Sequence, residues 1–561
     1  MSLENIKKWK EFKNLDAKLA SELASMSEAE LEDAFYTDLS FGTGGMRGVV
    51  GVGTNRLNIY TLRKANYGYG VYLKSKSESP SVVIAHDNRH MHDEFTAESA
   101  RTLATLGVKV YLFKTLTPTP TLSFAVRYKE ATGGIVITAS HNPPKYNGYK
   151  IYDEKGCQLV PELADIVIGN IANAPDPFEF EPKPFDELVS CGMIEYLGDD
   201  VDDAYLSNVK SIQLMPELDK SNLKVIFTPL HGTSARLGKR LLDEVGYNII
   251  PVAEQMVADP NFSTVKSPNP EVMSAFDLSL EYARRHDADI CIATDPDADR
   301  VGLAVKLRDG SYKLLTGNQT GALLIYYIVN NSKLPEKGMV YNTIVTSSLG
   351  ANIALSKGLE VYSTLTGFKF IGEQAALIEN TDKKFVFGYE ESYGYVIGDF
   401  VRDKDSLQAL IMCSEMAAFY KHQGKNLWEV LNEVYEEYGY FLEQTVNIEL
   451  EGSAGAKKIQ RIMDYFRTHE FESFGEFNVY AKEDYNLSKR VCEGATTELV
   501  LPKSNVIKYI SKENEWAVLR PSGTEPKLKV YFSVKGNSHE NALEKIEAFK
   551  KSMLEVVEGV E

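Results

Sequence analysis

Cysteine is scarce in this chain, with five residues among 561, and no two of them have the Cys-x-x-Cys spacing. The sequence therefore favours neither a disulfide framework nor a zinc site, and it indicates a reducing compartment. A run of about 18 apolar residues, which a membrane-spanning helix needs, is also missing. Residues 1–12 lack the apolar core of a signal peptide, so we expect a soluble cytoplasmic protein.

Basic residues are too few to balance the acidic ones: 61 Lys and Arg stand against 79 Asp and Glu, and the formal net charge is −18. This charge argues against nucleic acid or an anionic membrane as the main partner. A small anionic substrate is still compatible with it, because a local cluster of Arg and Lys can hold a phosphate group. A chain of this length, with 43% hydrophobic residues, is expected to form three or four globular domains.

The most informative stretch is residues 138–150, which read Thr-Ala-Ser-His-Asn-Pro-Pro-Lys-Tyr-Asn-Gly-Tyr-Lys. The apolar residues 134–137 before it predict a short buried strand, and its Ser, Asn, Pro and Gly residues predict a bend. Ser140 is therefore expected at a strand end, where ligands usually bind in open α/β sheets. A single serine in a loop is more often structural than nucleophilic, so its function depends on what other strand ends carry.

Residues 294–300, Thr-Asp-Pro-Asp-Ala-Asp-Arg, follow a second predicted strand. Alternate residues of an extended loop project the same way, so the carboxylates of Asp295, Asp297 and Asp299 can converge. Three converging carboxylates repel one another unless a cation lies among them, and hard oxygen ligands suit Mg²⁺ or Ca²⁺. The sequence thus predicts a metal site, with a solvated acidic turn as the alternative.

Other metal sites fit the sequence less well. An EF-hand is excluded because its sixth and twelfth positions, which need Gly and Glu, are Arg300 and Lys306 here. The four residues His86, His90, His92 and His141 lack a strong metal-ligand pattern and are expected to be solvated or hydrogen-bonded. Arg300, directly after the three aspartates, indicates instead that an anion shares their site.

Three further segments carry weaker signals. Residues 42–48, Gly-Thr-Gly-Gly-Met-Arg-Gly, match neither a Walker A nor a dinucleotide motif, and a plain loop is expected there. Residues 388–395 combine two carboxylates, a hydroxyl and three tyrosines, which suit sugar recognition, but an ordinary loop is an equal alternative. Residues 402–405, Arg-Asp-Lys-Asp, are compatible with part of a functional site and equally with a solvated run of charges.

A fourth strand end lies near the C-terminus, where the strand 516–519 runs into residues 520–527, Arg-Pro-Ser-Gly-Thr-Glu-Pro-Lys. Arginine, lysine, two hydroxyls and a glycine N–H group can together form a compact cradle for an oxyanion. A tight hairpin that carries these residues by chance is the alternative.

The order of predicted elements indicates an α/β fold. Three similar α/β domains with mixed sheets, each ending a strand in a polar loop, are expected to face a central cleft, followed by a smaller α+β C-terminal domain. The predicted boundaries are 1–200 with the serine loop, 201–315 with the metal loop, 316–440 with the sugar loop, and 441–561 with the phosphate loop.

Together, four motifs resemble those of the α-D-phosphohexomutase superfamily, in the same order over essentially the whole chain. They are Thr-Ala-Ser-His-Asn-Pro at 138–143, Asp-x-Asp-x-Asp-Arg at 295–300, Glu-x-Ser at 390–392 and Arg-Pro-Ser-Gly-Thr-Glu-Pro at 520–526. The chain length and Thr-Pro-Leu-His-Gly at 228–232 are most similar to the long phosphoglucomutase/phosphopentomutase branch of that superfamily.

The resemblance implies a role for each matching residue. Ser140 would carry a phosphoryl group, Lys150 would take part in proton transfer, and Arg47 and His141 would complete the catalytic set. Asp295, Asp297 and Asp299, with an oxygen of the phosphorylated Ser140, would hold one Mg²⁺ per chain. The substrate-binding residues implied are Arg300, Thr366, Gly367, Lys369, Glu390, Ser392, Lys404, Arg520, Ser522, Gly523 and Thr524.

The implied reaction is reversible phosphoryl transfer between glucose 1-phosphate and glucose 6-phosphate, with glucose 1,6-bisphosphate as intermediate and activator. The expected partners are small sugar phosphates rather than nucleic acid or membrane, and the protein is expected to be a monomer or homodimer. Transfer on mannose or pentose phosphates, a metal-dependent sugar phosphatase and a non-enzymatic sugar-phosphate-binding protein are the alternatives.

The chain departs from the superfamily pattern at two loops. Pro296 and Ala298 stand between the aspartates where glycines are usual, and Tyr389 and Tyr393 flank the sugar motif. The metal ligands themselves are intact, so metal binding is expected to persist. The identity of the preferred sugar is the part of the prediction that these departures weaken most.

Overall fold

The computed structural model of the chain describes residues 2–42, 44–450, 452–522 and 526–561. The chain divides into two units: Met1–Gly317 together with Phe368–Asn426, and Asn318–Gly367 together with Leu427–Glu561. We call them the larger and the smaller unit. Among the described residues, no helix has both the length and the apolar character needed to cross a bilayer. The five cysteines, all of them described, are free thiols.

The helices of the described residues are α1 (Ser2–Glu11), α2 (Ala17–Ser25), α3 (Glu28–Phe35), α4 (Ile59–Lys76), α5 (His92–Thr105), α6 (Thr119–Tyr128), α7 (Pro161–Ala172), α8 (Phe185–Ser190), α9 (Asp199–Ser211), α10 (Ser234–Glu244), α11 (Asp277–His286), α12 (Gly317–Asn331), α13 (Ser348–Ser356), α14 (Phe368–Ile378), α15 (Ser406–His422), α16 (Leu427–Tyr438), α17 (Gly452–Thr468) and α18 (His539–Gly559). Polar side chains start several of them: Ser27 and Glu30 form a capping box at α3, and Asp405 caps α15.

The strands of the described residues are β1 (Gly45–Val49), β2 (Ser81–His86), β3 (Lys109–Leu112), β4 (Gly133–Ile137), β5 (Tyr146–Tyr152), β6 (Ile194–Tyr196), β7 (Lys224–Thr228), β8 (Asn248–Pro251), β9 (Ile290–Thr294), β10 (Val301–Lys306), β11 (Tyr312–Leu314), β12 (Gly338–Thr343), β13 (Glu360–Thr364), β14 (Lys384–Glu390), β15 (Gly394–Val396), β16 (Tyr440–Glu449), β17 (Ser473–Phe474), β18 (Phe477–Asn478), β19 (Ala481–Asp484), β20 (Lys489–Cys492), β21 (Ala495–Glu498), β22 (Ile507–Ile510), β23 (Trp516–Pro521) and β24 (Lys527–Gly536).

The first sheet of the larger unit has the order β1-β5-β4-β2-β3-β6. The pairs β2–β4, β2–β3 and β3–β6 are parallel, whereas β5 pairs antiparallel with both β1 and β4. Strand β4 is buried along its whole length, because its β-branched apolar residues pack on both faces of the sheet. The carboxyl end of β4 leads directly into the Ser140 loop.

Two sequence expectations about the edge of this sheet are wrong. Residues 45–48 of the glycine-rich segment lie in strand β1 rather than in a plain loop, whereas Thr43 lies outside the described residues. The predicted bend after Ser140 ends at Lys145, because residues 146–152 form β5 between β1 and β4. Lys150 is therefore a strand residue, and sheet pairing that local sequence does not reveal decides its position.

The second sheet of the larger unit has the order β11-β10-β9-β7-β8. The pairs β7–β8 and β7–β9 are parallel, and β9–β10 and β10–β11 are antiparallel. Strand β9 is buried throughout, and Asp295 follows its last residue. The polar loops of both sheets thus begin at the carboxyl ends of buried strands, where α/β folds usually place their ligands.

The larger unit also contains the hairpin β14–β15 and the buried helix α15. Strand β14 extends to Glu390, because Gly388, Tyr389 and Glu390 pair with Val396, Tyr395 and Gly394 of β15. The sugar loop is therefore shorter than the sequence predicts. Glu390 is the last residue of a strand, and Ser392 lies in the turn.

The smaller unit is built on an antiparallel sheet of the order β16-β24-β23-β22-β19-β20-β21. The parallel pair β12–β13 and the short hairpin β17–β18 also belong to it. Aliphatic and aromatic side chains share its core, which includes Phe466 of α17, Phe532 of β24 and Phe549 of α18. This helix-and-antiparallel-strand order is the α+β arrangement expected for the C-terminal part of the chain.

Candidate active site

Ser140 lies in the larger unit, three residues after β4, with its side chain nearly buried. Its φ angle is +50°, a left-handed conformation that non-glycine residues seldom adopt. The backbone N–H of Ser140 donates a hydrogen bond to Thr138 Oγ1 at 2.8 Å. The Ser140 hydroxyl donates to Asp295 Oδ2 at 2.6 Å, so the two strand ends meet at this pair.

The three predicted metal ligands converge. One ligand atom from each of Asp295, Asp297 and Asp299 lies within 4.8 Å of the others, and all three side chains are buried. Asp295 Oδ1 accepts hydrogen bonds from the backbone N–H groups of Asp299 and Arg300, at 3.0 and 2.9 Å. These two bonds fold the loop back on itself, so that the alternate carboxylates point to one place.

Two lysines bring positive charge to this cluster. Lys150 Nζ lies 2.8 Å from Asp297 Oδ2 and 3.3 Å from Asp299 Oδ2, and Lys404 Nζ lies 3.2 Å from Asp299 Oδ2. Burial alone would lower the pKa of the Lys150 amine, but the carboxylates of Asp297 and Asp299 outweigh burial and raise it. The pKa of Lys404 is raised in the same way, against burial, by Asp299 and Asp403. Both amines are therefore ammonium groups that can donate hydrogen bonds.

Two of the carboxylates also have an oxygen that accepts no hydrogen bond from the described residues. Among the described residues, Asp297 Oδ1 and Asp299 Oδ1 are buried and find no hydrogen-bond partner. Burial and the neighbouring Asp299 and Asp297 carboxylates raise the pKa of Asp295 well above its usual range. Both observations indicate excess negative charge and free oxygen ligands, so the cluster fits a divalent cation.

The metal loop is hydrogen-bonded to two segments that no sequence motif assigned to the site. Thr119, at the start of α6, donates its N–H to Asp297 O at 2.8 Å and its hydroxyl to Asp297 Oδ2 at 3.1 Å. Thr233 N–H donates to Pro296 O at 2.8 Å. Gly232 lies so close to Pro296 that an added Cβ would stand 2.4 Å from its Cα. Residues 228–233 thus pack against the metal loop and help to hold its aspartates in place.

His141 and Arg47 both contact the serine loop. His141 Nδ1 lies 3.1 Å from Ser140 Oγ, and burial, helped by Arg300 and Arg47, lowers the pKa of His141 to about 3. The imidazole is therefore neutral and a weak base. Arg47, on β1, donates from Nη1 to Asn142 Oδ1 at 3.0 Å. Pairing of β1 with β5 brings Arg47 to this loop, with Gly148 opposite it.

Glu390 lies beside Lys404, the lysine that contacts Asp299. An added Cβ on Gly394 would contact the side chains of both Glu390 and Lys404, so these two side chains run side by side. Burial raises the pKa of Glu390 to about 7, although Lys404 opposes the shift. Lys369, in the first turn of α14, is also nearly buried. Arg300 forms an ion pair with Glu271.

The remaining predicted residues belong to the smaller unit. Gly367 has a φ angle of +113° and follows Thr366 in the segment between β13 and α14. Arg520 lies on β23 and donates to the Tyr531 hydroxyl at 3.3 Å, and Ser522 N–H donates to Lys527 O at 2.7 Å. Gly523 and Thr524 of the predicted phosphate loop lie outside the described residues.

A second group of possible metal ligands consists of His86, His92 and Asp93. The two imidazole rings stack with an interplanar angle of 9°, and Asp93 is exposed. Ring nitrogens bind metals in the plane of the ring, so the ligands of two parallel rings do not point to one ion. His86 instead agrees with the expectation of a hydrogen-bonded histidine, since its Nδ1 lies 3.0 Å from Asp87 O.

Comparison with known proteins places this fold and site in a family. The chain matches the models of phosphoglucomutase/phosphomannomutase alpha/beta/alpha domains I, II and III over residues 38–176, 203–309 and 316–438. It also matches the C-terminal domain of the same proteins over residues 478–548. The chain belongs to the phosphoglucomutase/phosphomannomutase family, and the predicted fold of three α/β domains and a C-terminal domain is confirmed.

Several curated relatives carry the name phosphoglucomutase. The protein of Staphylococcus haemolyticus is 38% identical over 541 residues, which cover 96% of this chain and 98% of the relative. That of Staphylococcus saprophyticus is 38% identical over 534 residues, covering 93% and 95% of the two chains. These relatives extend along nearly the whole of this chain, so the resemblance stated from four motifs is confirmed.

Solved structures support the fold at lower identity. A phosphoglucomutase/phosphomannomutase family protein from Burkholderia thailandensis has a TM-score of 0.67 at 20% identity, covering 93% of this chain and 98% of that one. The open form of parafusin, a phosphoglucomutase from Paramecium, has a TM-score of 0.69 at 17% identity, covering 93% and 95%.

Proposed function

We propose that this protein is a phosphoglucomutase, which interconverts glucose 1-phosphate and glucose 6-phosphate by phosphoryl transfer through Ser140. The observation that carries the proposal is the hydrogen bond from the Ser140 hydroxyl to the buried carboxylate cluster, at 2.6 Å. The phosphoglucomutase name of relatives that are 38% identical over most of the chain supports the choice of sugar.

In this proposal, phosphorylated Ser140 donates its phosphoryl group to the free hydroxyl of a glucose monophosphate. The bond between phosphorus and the serine oxygen breaks, a bond to the sugar oxygen forms, and the sugar proton passes to the serine oxygen. The resulting glucose 1,6-bisphosphate then returns its other phosphoryl group to Ser140. The same bisphosphate, added in trace amounts, would phosphorylate an enzyme that has lost its phosphoryl group and so act as an activator.

The charged side chains supply most of the catalysis, because phosphoryl transfer depends mainly on positioning and charge neutralisation. Asp297 and Asp299 hold Lys150 in its ammonium form. Lys150 takes part in the proton transfer between the sugar hydroxyl and the serine oxygen. One Mg²⁺ would be held by Asp295, Asp297, Asp299 and an oxygen of the phosphoserine, and it would neutralise charge on the phosphoryl group. Neutral His141 and Arg47 orient the serine loop.

The remaining site residues are assigned to substrate binding. Glu390 and Ser392 would bind sugar hydroxyls, and Arg300, Lys369 and Lys404 would contact the substrate close to the reacting phosphate. The residues proposed for other substrate contacts, with the last four binding the non-reacting phosphate, are Thr366, Gly367, Arg520, Ser522, Gly523 and Thr524. A cytoplasmic location and a monomeric or homodimeric state stay predictions from the sequence.

The test is a comparison of initial rates on three substrates, with Mg²⁺ and a trace of glucose 1,6-bisphosphate. The purified protein receives glucose 1-phosphate, mannose 1-phosphate or ribose 1-phosphate in separate assays, and free phosphate is measured in each. Ser140→Ala protein, prepared in the same way, measures activity from contaminants. Fast conversion of glucose 1-phosphate without phosphate release is expected. A higher rate on mannose or ribose phosphate would change the substrate, and phosphate release would indicate a phosphatase.

A further inference from the structure

Arg89 binds the Ser140 loop from inside the protein. Its side chain is fully buried, and its guanidinium donates four hydrogen bonds to backbone carbonyl groups. Nη1 donates to Pro143 O and Tyr146 O at 3.0 and 2.9 Å, and Nη2 donates to Ser140 O and Asn142 O, both at 2.5 Å. One side chain therefore holds the loop at four points between residues 140 and 146.

Asp87 connects Arg89 to the other side of the same loop. Arg89 Nε lies 3.4 Å from Asp87 Oδ2, and Asp87 Oδ1 accepts from Arg89 N–H at 2.9 Å. Asp87 Oδ2 also accepts from the Thr138 hydroxyl at 2.6 Å, and Thr138 Oγ1 accepts from Ser140 N–H. Ser140 is thus held through its N–H by Thr138, whose hydroxyl Asp87 binds, and through its carbonyl by Arg89.

These contacts explain how Ser140 keeps its backbone conformation. A φ angle of +50° is unfavourable for a side chain with a Cβ, so neighbouring interactions must maintain it. The conformation aims Oγ at Asp295. A relaxed loop would turn the hydroxyl away from the carboxylates, even if all catalytic side chains were present.

Arg89 and its hydrogen bonds to the Ser140 loop are also shielded from water. The guanidinium of Arg89 lies over the ring of Phe262, 5.2 Å from its centroid, and Phe262 is buried. The segment that carries Phe262 is hydrogen-bonded to the residues next to Arg89. Asn88 Nδ2 donates to Asp259 O at 3.0 Å, and His90 Nε2 lies 2.8 Å from Asn261 Oδ1. In a dry environment these charge-assisted hydrogen bonds strengthen, because water does not compete for the carbonyl groups.

We propose that Asp87 and Arg89 form a clamp that positions the Ser140 backbone for phosphoryl transfer. This inference rests on the proposed function, which gives Ser140 the phosphoryl group. The clamp needs arginine rather than lysine, because a planar guanidinium carries five donors in a fixed fork, whereas an ammonium has three donors at one point. Both residues are positioning residues, since their side chains are fully buried and act on the backbone of the Ser140 loop.

The test compares Arg89→Lys with Arg63→Lys as a matched control. Arg63 is also nearly buried, pairs with Glu98 at 2.6 Å, and donates to the carbonyl groups of Pro177 and Phe180, but away from the serine loop. Arg89→Lys is expected to lower kcat by about 100-fold with KM changed less than threefold, because misplacement by about 1 Å can cost that factor. Arg63→Lys is expected to leave kcat within threefold of the wild type. A wild-type kcat for Arg89→Lys would overturn the proposal.

Thr138→Val tests the clamp without removing a buried charge. The substitution keeps the shape of the side chain and removes the hydroxyl that links Asp87 to Ser140 N–H. We expect kcat to fall about tenfold and the melting temperature to fall by a few degrees, because Asp87 Oδ2 and Ser140 N–H each lose a buried hydrogen-bond partner. An unchanged kcat would contradict the clamp. This variant decides the question if Arg89→Lys does not fold.

Amide hydrogen exchange separates failure of the clamp from failure of the proposed function. If the clamp holds the loop, amides of residues 139–147 exchange faster in Arg89→Lys than in the wild type, whatever chemistry Ser140 performs. If Ser140 carries no phosphoryl group, the intact mass of the wild type shows no phosphate, either as purified or after incubation with glucose 1,6-bisphosphate. Unchanged exchange in the loop would overturn the clamp, and absence of phosphate from both masses would overturn the proposed function alone.

Discussion

Ser140 Oγ and Asp295 Oδ2 lie 2.6 Å apart although their residues are 155 positions apart in the chain. The pair joins the carboxyl end of β4, in the first sheet of the larger unit, to that of β9, in the second. A hydroxyl and a carboxylate cluster that belong to different sheets therefore share one site. Five predictions about this site and its support follow from the geometry.

Ser140→Ala is expected to lower mutase turnover by at least about 10³-fold, because it removes the oxygen that would carry the phosphoryl group. Far-ultraviolet circular dichroism should stay unchanged, and a coupled assay for glucose 6-phosphate measures the rate. The control is Ser279→Ala, which removes a buried hydroxyl that donates to Phe276 O. Residual turnover above a tenth of the wild type would contradict the role of Ser140.

Asp297→Asn is expected to raise the Mg²⁺ concentration for half-maximal activity by about tenfold or more, since metal affinity follows the charge of the ligands. Asp297 is buried, and its Oδ1 atom finds no protein partner among the described residues. A magnesium titration of the initial rate measures the effect. The control is Asp243→Asn, in an exposed pair with Lys239 on α10. An identical magnesium dependence in Asp297→Asn and the wild type would refute the metal assignment.

Lys150→Met is expected to destabilise the metal-free protein by about 3–5 kcal/mol, because it removes the ammonium group that pairs with the buried carboxylates of Asp297 and Asp299. Mg²⁺ should restore part of the loss, since it supplies replacement charge. Thermal unfolding in EDTA and in excess Mg²⁺ measures both effects. Lys239→Met, in the exposed pair with Asp243, should cost less than about 1 kcal/mol. Equal losses for the two lysines would be evidence against the charge argument.

Gly232→Ala is expected to lower magnesium affinity and turnover together, because its Cβ would stand 2.4 Å from Pro296 Cα in the metal loop. The backbone must shift to relieve this contact, and the aspartates shift with it. Gly169→Ala is the matched control: Gly169 lies in α7, and an added Cβ would have no neighbour within 4 Å. If Gly232→Ala binds magnesium as the wild type does, the support from residues 228–233 is unimportant.

Asp405→Asn is expected to change how stability depends on pH. Burial raises the pKa of the Asp405 carboxyl to about 6, so the folded chain binds this proton more tightly than the unfolded chain. The free energy of unfolding therefore falls as pH rises from about 4 to about 6. Asparagine still caps α15 but carries no charge.

Asp405→Asn should consequently match the wild type near pH 4.5 and exceed its stability at pH 7.5 by up to about 3 kcal/mol. Melting temperatures of the two proteins at both pH values provide the measurement. A difference that is the same at pH 4.5 and pH 7.5 would show that the Asp405 carboxyl is not the titrating group.

Local sequence was sufficient to predict the polar strand ends of this protein. Apolar β-branched runs predicted β4 and β9, and the residues after them predicted the loops that carry Ser140 and Asp295. Strand β5 could not be predicted, because Asn, Gly and Pro near Lys150 are typical of turns. Pairing with both β1 and β4 overrides that local preference.

Arg89 and Thr119 show a different limit of the sequence. Neither lies in a motif with recognised chemistry, and their importance depends on contacts with residues 51 and 178 positions away. A polar residue that follows a strand end is a signal for inspection, but it does not reveal which loop the side chain will hold.

The sequence by itself determined the family, much of the order of secondary structure and the residue types that can transfer a phosphoryl group, because these depend on local pattern and chemistry. Only the tertiary structure decided that Ser140, Lys150 and Lys404 meet at one carboxylate cluster, and that Arg89 and Gly232 support it. The reason is physical: sheet pairing and close packing set distances between residues far apart in the chain, and the burial that follows sets their charges.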